Sequence, residues 1–104
     1  MTDRTDSEVL AIKGEFTIFT AASIKANLLD LIHRDAAPDI EIDLSDVTEI
    51  DSAGLQLMVM AKREAVCLDK NVRFSNHSSP VLDLIELYDL TGFFGDPILI
   101  RSRL

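Results

Sequence analysis

The chain has 104 residues and carries 18 acidic side chains against 10 Lys and Arg, a formal net charge of −8. A nucleic-acid binder needs Lys and Arg to displace phosphate counterions, so this balance argues against a polyanionic partner and, equally, an anionic membrane surface. Chain length matches one domain, and a hydrophobic content of 47% argues against disorder.

Residues 1–7, Met1-Thr2-Asp3-Arg4-Thr5-Asp6-Ser7, form a polar tail without the basic start and apolar stretch of a secretory signal, and the folded domain is expected over 8–104. Residues 9–19 hold two short β-prone runs around Gly14-Glu15, which predicts a strand, a tight connection and a second strand. Thr20 can cap a helix whose Ile24, Leu28, Leu31 and Ile32 recur at three- and four-residue steps, and Pro38 ends that pattern. Ile40-Glu41-Ile42-Asp43-Leu44 alternates as a strand with one buried and one wet face. The polar stretch Ser45–Glu49 is expected as a loop leading through Ile50 into a helix from Ser52 to Asp69, terminated by Asn71.

Val72–Ser75 reads as another strand, and Ser79-Pro80 supplies an N-cap and first helical residue for a third helix bearing Leu84, Ile85, Leu87 and Tyr88. Thr91-Gly92 closes that helix, Phe93-Phe94 is expected to pack on the core, and Pro97-Ile98-Leu99-Ile100 reads as an edge strand. The order β-β-α-β-α-β-α-β predicts an α/β fold with a mixed, mostly parallel β-sheet of 4–5 strands and alternating helices. Right-handed crossovers then gather the loops after the strands on one edge, where ligands and partners of such sheets usually meet.

The lone Cys67 cannot form an internal disulfide, and with His33 and His77 it offers no metal-ligand spacing, so neither a metal nor a cofactor is expected. No apolar run approaches the ~20 residues of a membrane span, and the expected location is the cytoplasm.

The loop after the central strand ends in Asp51-Ser52-Ala53-Gly54-Leu55. With Asp51 as N-cap, its carboxylate can accept from the amides of Ala53 and Gly54, leaving Ser52 at the first helical position with its hydroxyl outside. At 100° per residue Gly54 falls among Leu57, Met58, Ala61, Ala65 and Leu68, facing inward, where the absence of a side chain lets the helix start approach the sheet. Ser52, Gln56, Met60, Arg63 and Cys67 fall on the face away from the core. A phosphate at Ser52 would add about −1.5 to −2 charges at a helix start whose dipole favours anions. Asp-Ser before a helix is also a common capping pair, so spacing alone leaves capping and regulation both open.

The run Ile42-Asp43-Leu44-Ser45-Asp46-Val47-Thr48-Glu49-Ile50-Asp51-Ser52-Ala53-Gly54-Leu55, preceded by Gly14-Glu15-Phe16-Thr17 and followed by Asn76–Pro80 and Leu90-Thr91-Gly92, closely resembles the STAS (sulfate transporter and anti-sigma factor antagonist) domain family. The resemblance covers nearly the whole chain and is strongest to single-domain anti-sigma factor antagonists. It implies phosphorylation of the serine at Ser52 by a serine kinase of histidine-kinase-like ATPase fold that is also the anti-sigma factor, reversal by a phosphatase, and release of the partner on phosphorylation. The loop leading to Ser52 and the outward face of its helix then give the expected partner-binding surface: Asp46, Thr48, Glu49, Asp51, Ser52, Gln56, Met60 and Arg63. The Gly14–Ala21 opening and the Ile50–Gln56 turn look similar to members in chemotaxis and two-component signalling. An alternative keeps the fold and changes the partner, because STAS proteins also resemble small subunits that dock the ATPase of an ABC lipid transporter.

An enzyme is the less favoured reading. Asp43, Asp46, Glu49 and Asp51 have no His among them, a phospho-aspartate receiver would need paired carboxylates after its first strand and a late Lys, and Ser52 has no adjacent base. The charge is also local. Residues 30–51 hold Asp30, Asp35, Asp39, Glu41, Asp43, Asp46, Glu49 and Asp51 against Arg34, a balance of −7, which points to a partner with a basic docking surface.

Overall fold

Strands and helices alternate strictly in the computed structural model, which describes residues 7–34 and 38–88. The order is β1 (Ser7–Phe16), α1 (Ala21–His33), β2 (Asp39–Ile50), α2 (Ser52–Cys67), β3 (Asn71–Ser75) and α3 (Ser79–Leu87). The three described strands form one parallel sheet in the order β1-β2-β3. The expected Phe93-Phe94 packing and the Pro97–Ile100 strand lie outside the described residues, as does the Thr91-Gly92 helix end.

Two readings of the sheet are corrected. The two strands expected around Gly14-Glu15 are one strand, and the expected Ser45–Glu49 loop is the second half of β2. Both errors have one cause. β2 spends twelve residues alongside the ten of β1, and the register slips between Ala11 and Lys13 and again between Gly14 and Glu15, each time with an extra residue on β2. Such bulges break the period of two, so Leu44 and Val47 both point into the core while Ser45 and Asp46 are both wet. Gly14 takes a φ of +75°, a left-handed conformation that costs glycine little, and the strand continues through it. At the first bulge the Asp43 carboxylate accepts from the Ser45 amide at 2.8 Å.

The α1 stripe behaves as its spacing requires, with Leu28, Leu31 and Ile32 buried and Ile24 packed against the cluster. Thr20 stands at the N-cap, but its hydroxyl serves the preceding turn rather than the helix amides. α1 stops at Arg34, before Pro38, where Lys70 Nζ donates to the carbonyls of Ile32 and Arg34. A cation on the free carbonyls of a helix end is favourable both as a hydrogen bond and against the dipole. α2 ends at Cys67 rather than Asp69, the chain turns through Asp69 at φ 57°, and Asn71 opens β3 instead of closing the helix. α3 begins one residue earlier than expected, with Ser78 at the N-cap and Pro80 in the first turn.

Phe16, Leu28, Ile32, Ile42, Leu44, Met58, Phe74 and Ile85 are the largest fully enclosed side chains, drawn from all three strands and all three helices. At Gly54 the start of α2 lies against the end of β1. A Cβ there would overlap the Phe16 backbone oxygen and come within 2.9 Å of the Ile50 side chain. Because the obstacle is backbone, Gly54→Ala must push α2 off the sheet. We expect it to destabilise the fold by about 1–3 kcal/mol, each kcal/mol lowering Tm by about 4–8 °C in a domain of this size. Thermal melts followed by circular dichroism test this, and an unchanged Tm would contradict the close approach.

Candidate functional site

β1 and β2 end side by side, Phe16 opposite Ile50, so the segments that follow them meet at the carboxyl edge of the sheet. After β1 the chain makes the turn Thr17–Thr20. The Thr17 amide donates to Thr20 Oγ1 at 3.0 Å, the Phe19 amide to Thr17 Oγ1 at 3.2 Å, and the Thr20 amide to the Thr17 carbonyl at 3.0 Å. Hydroxyls closing a turn in this way replace backbone partners that a short loop cannot supply. After β2 comes Asp51, extended at φ −127° and ψ −171°, and then α2.

The Asp51 carboxylate joins the two segments. Oδ1 accepts from the amides of Ala53 at 2.9 Å and Gly54 at 3.2 Å, the cap expected from the sequence, while Oδ2 accepts from the Ile18 amide at 3.0 Å. The hydrogen bond from Ile18, with smaller contributions from Gly54 and Ala53, holds the carboxyl below the usual carboxylate range. Asp43 is held low as well, first by the Ser45 hydrogen bonds and then by Asn76, whose Nδ2 donates at 3.3 Å.

Around this cap the structure gathers most of the residues singled out in the sequence. Ser52 is exposed at the first position of α2, and Asp46, Thr48 and Glu49 are exposed on the last half of β2. Gln56 and Arg63 are exposed further along the helix. Met60 departs from expectation: it is half-buried and packs against the core. At 100° per residue it lies at the edge of the outward face, from which a flexible thioether chain can fold back onto the core. Cys67 is exposed at the far end of α2, beside Lys62, Arg63 and Val66, which line a shallow groove. Among the described residues, no group of three or more His, Cys, Asp and Glu side chains is placed to hold a metal ion. No described helix is long and apolar enough to cross a membrane.

The Thr17–Thr20 turn is not expected from the sequence, in which residues 9–19 read as strand. The signal was present in Thr17-Ile18-Phe19-Thr20, where two hydroxyl residues three apart follow a strand and precede a helix.

The profile of the family described as Mlab, STAS domain, matches residues 1–101. The chain belongs to the STAS domain family. Among solved structures, the anti-sigma factor antagonist SpoIIAA in its unphosphorylated form superposes with a TM-score of 0.67 at 17% identity, covering 98% of this chain and 86% of that one. The Bacillus cell fate determinant SpoIIAA in its phosphorylated form gives 0.66 at 18% identity, over 94% and 88%. The SulP transporter STAS domain from Vibrio cholerae gives 0.67 at 17% identity, over 94% and 78%. These likenesses establish the STAS fold.

The lowered Asp51 sets a pH dependence for this STAS domain. A carboxyl whose folded pKa lies below its ordinary 3.8 contributes stability that is complete above that value and is lost as the pH falls through the folded one. Asp51→Asn should therefore be less stable than wild type near neutral pH, and the gap should shrink as the pH falls below 3.8. Urea unfolding across the acid range measures it, and a gap that stays constant with pH would show that the charge of Asp51 does not contribute.

Proposed function

We propose that this STAS domain is a non-enzymatic switch of the anti-sigma factor antagonist type. Unmodified, it docks a serine kinase of histidine-kinase-like ATPase fold, which phosphorylates Ser52, and a phosphatase reverses the step. The observation that carries the reading is the position of Ser52, exposed on the first turn of α2 beside a capped turn that is already formed. Two of the α2 amides that would attract a phosphate are held by Asp51. A phosphate on Ser52 would then project outward and change the surface without competing for the cap. At about −1.5 to −2 charges it would join the exposed Asp46 and Glu49 and weaken a partner that had matched the unmodified edge.

That the fold superposes almost equally on unphosphorylated and phosphorylated SpoIIAA supports a switch by surface charge rather than by refolding. Asp46, Thr48, Glu49, Asp51, Ser52, Gln56, Met60 and Arg63 form the docking surface in this reading, with Met60 reduced to its exposed portion. The output belongs to transcriptional regulation, chemotaxis or two-component signalling, in the cytoplasm.

A second reading rests on the Mlab description of the matching family. In it the same edge is a static docking surface for the ATPase of an ABC lipid transporter, and Ser52 only occupies the first turn.

Pull-down from the native host followed by mass spectrometry reports the partner and any Ser52 phosphate together. With that partner in hand, Ser52→Ala should bind like the unmodified chain and Ser52→Asp at least about tenfold more weakly, a difference of roughly 1.4 kcal/mol. Equal binding by the two variants would remove the switch and leave the static reading.

A further inference from the structure

The turn that Asp51 ties to α2 carries two apolar side chains that the fold leaves uncovered. Phe19 is 89% exposed, the highest value among the large apolar residues described, and its neighbour Ile18 is 68% exposed. They are held by the hydrogen bonds Ile18 N–H to Asp51, Phe19 N–H to Thr17 and Thr17 N–H to Thr20. An exposed aromatic on a prebuilt turn loses little backbone freedom on docking, and aromatic side chains are the usual anchors of protein interfaces.

The surroundings of this tip are acidic. Glu15 and Glu49 stand directly opposite each other at the last register pair before Phe16 and Ile50, and both are exposed. Like charges opposed across two strands repel, and a cation brought from outside relieves the repulsion. Asp51 adds a third carboxylate, bonded to the tip itself. The same charges repel an anionic lipid surface, so the apolar pair is not suited to insert there.

We propose that Ile18 and Phe19 are the apolar anchor of the docking surface, and that they seat in an apolar recess rimmed by Lys or Arg on a partner protein. The proposal rests on the reading of this edge as partner-facing and adds an apolar contact to it.

The test places a photo-crosslinking phenylalanine analogue at position 19 of the full chain in its native host. The expected result is an adduct with one other protein. That protein, purified, should bind wild type about tenfold more tightly than Phe19→Ser, bind Phe19→Leu nearly as well as wild type, and lose affinity as salt is raised. Circular dichroism should show both variants folded, since the side chain is not in the core. No adduct, an adduct only with lipid or with a second copy of this chain, or binding of Phe19→Ser within about twofold of wild type would overturn the anchor. Ser52→Asp measured with the same protein separates the two ideas. Loss with Phe19→Ser alone retains the anchor and removes the switch, while loss with Ser52→Asp alone does the reverse.

Discussion

One carboxylate holds the functional edge together. Asp51 accepts from two amides at the start of α2 and from the Ile18 amide beyond the end of β1, joining positions 33 residues apart in the chain. Helix starts leave amides without intrahelical partners, and a short turn after a strand leaves others; a single acidic side chain with two oxygens serves both. Its position depends on Gly54, since only a residue without a side chain lets α2 begin against the Phe16 carbonyl. The sheet's carboxyl edge is therefore a fixed arrangement of two loops rather than two independent ones.

The charge that dominates the composition has two distinct environments. Toward the beginning of β2 the carboxylates have partners: Glu41 accepts from Arg73 at 2.8 Å and from Ser75 at 2.6 Å, and Asp43 from Ser45 and Asn76. Asp30 and Glu8 likewise share Arg34. These are exposed or half-exposed pairs, worth little each, and they fasten neighbouring elements rather than stabilise a core. Toward the end of β2 the pattern changes, with Glu15 opposed to Glu49 and with Asp46 and Glu49 facing solvent. A fold would not gain stability from that arrangement, which is why the acidic end is better understood as complementarity to something else.

Much of the site was legible because it depends on local rules. The Asp51 cap, the inward Gly54 and the outward Ser52 all follow from a helix repeating every 3.6 residues after a capping side chain, and the structure has each in that place. What could not be read was non-local. Ser45–Glu49 is as polar as a loop, and it becomes strand only because the second half of β1 lies beside it and absorbs the mismatch through two bulges. Thr17 looks like a strand residue, but it is the buried first residue of a turn that an acid 34 positions later ties to α2. The end of α2 and the start of α3 lie two residues and one residue from where the stop and cap residues put them, because neighbouring residues compete for both roles.

The bulges have a consequence for the edge itself. With two extra residues, β2 still ends level with β1, so Ile50 faces Phe16 and Asp51 arrives within reach of the Ile18 amide. Without them, the pairing that begins at Ser7 and Asp39 would carry β2 two residues past the end of β1 before Asp51 was reached, and the carboxylate could not bridge the two turns. The same extra residues place Ser45 and Asp46 together on the wet side, adding an acid to the surface that leads to Ser52. Irregular pairing in the sheet thus sets both the geometry of the cap and the charge of the surface around it, and the two reach Ser52 from the same strand.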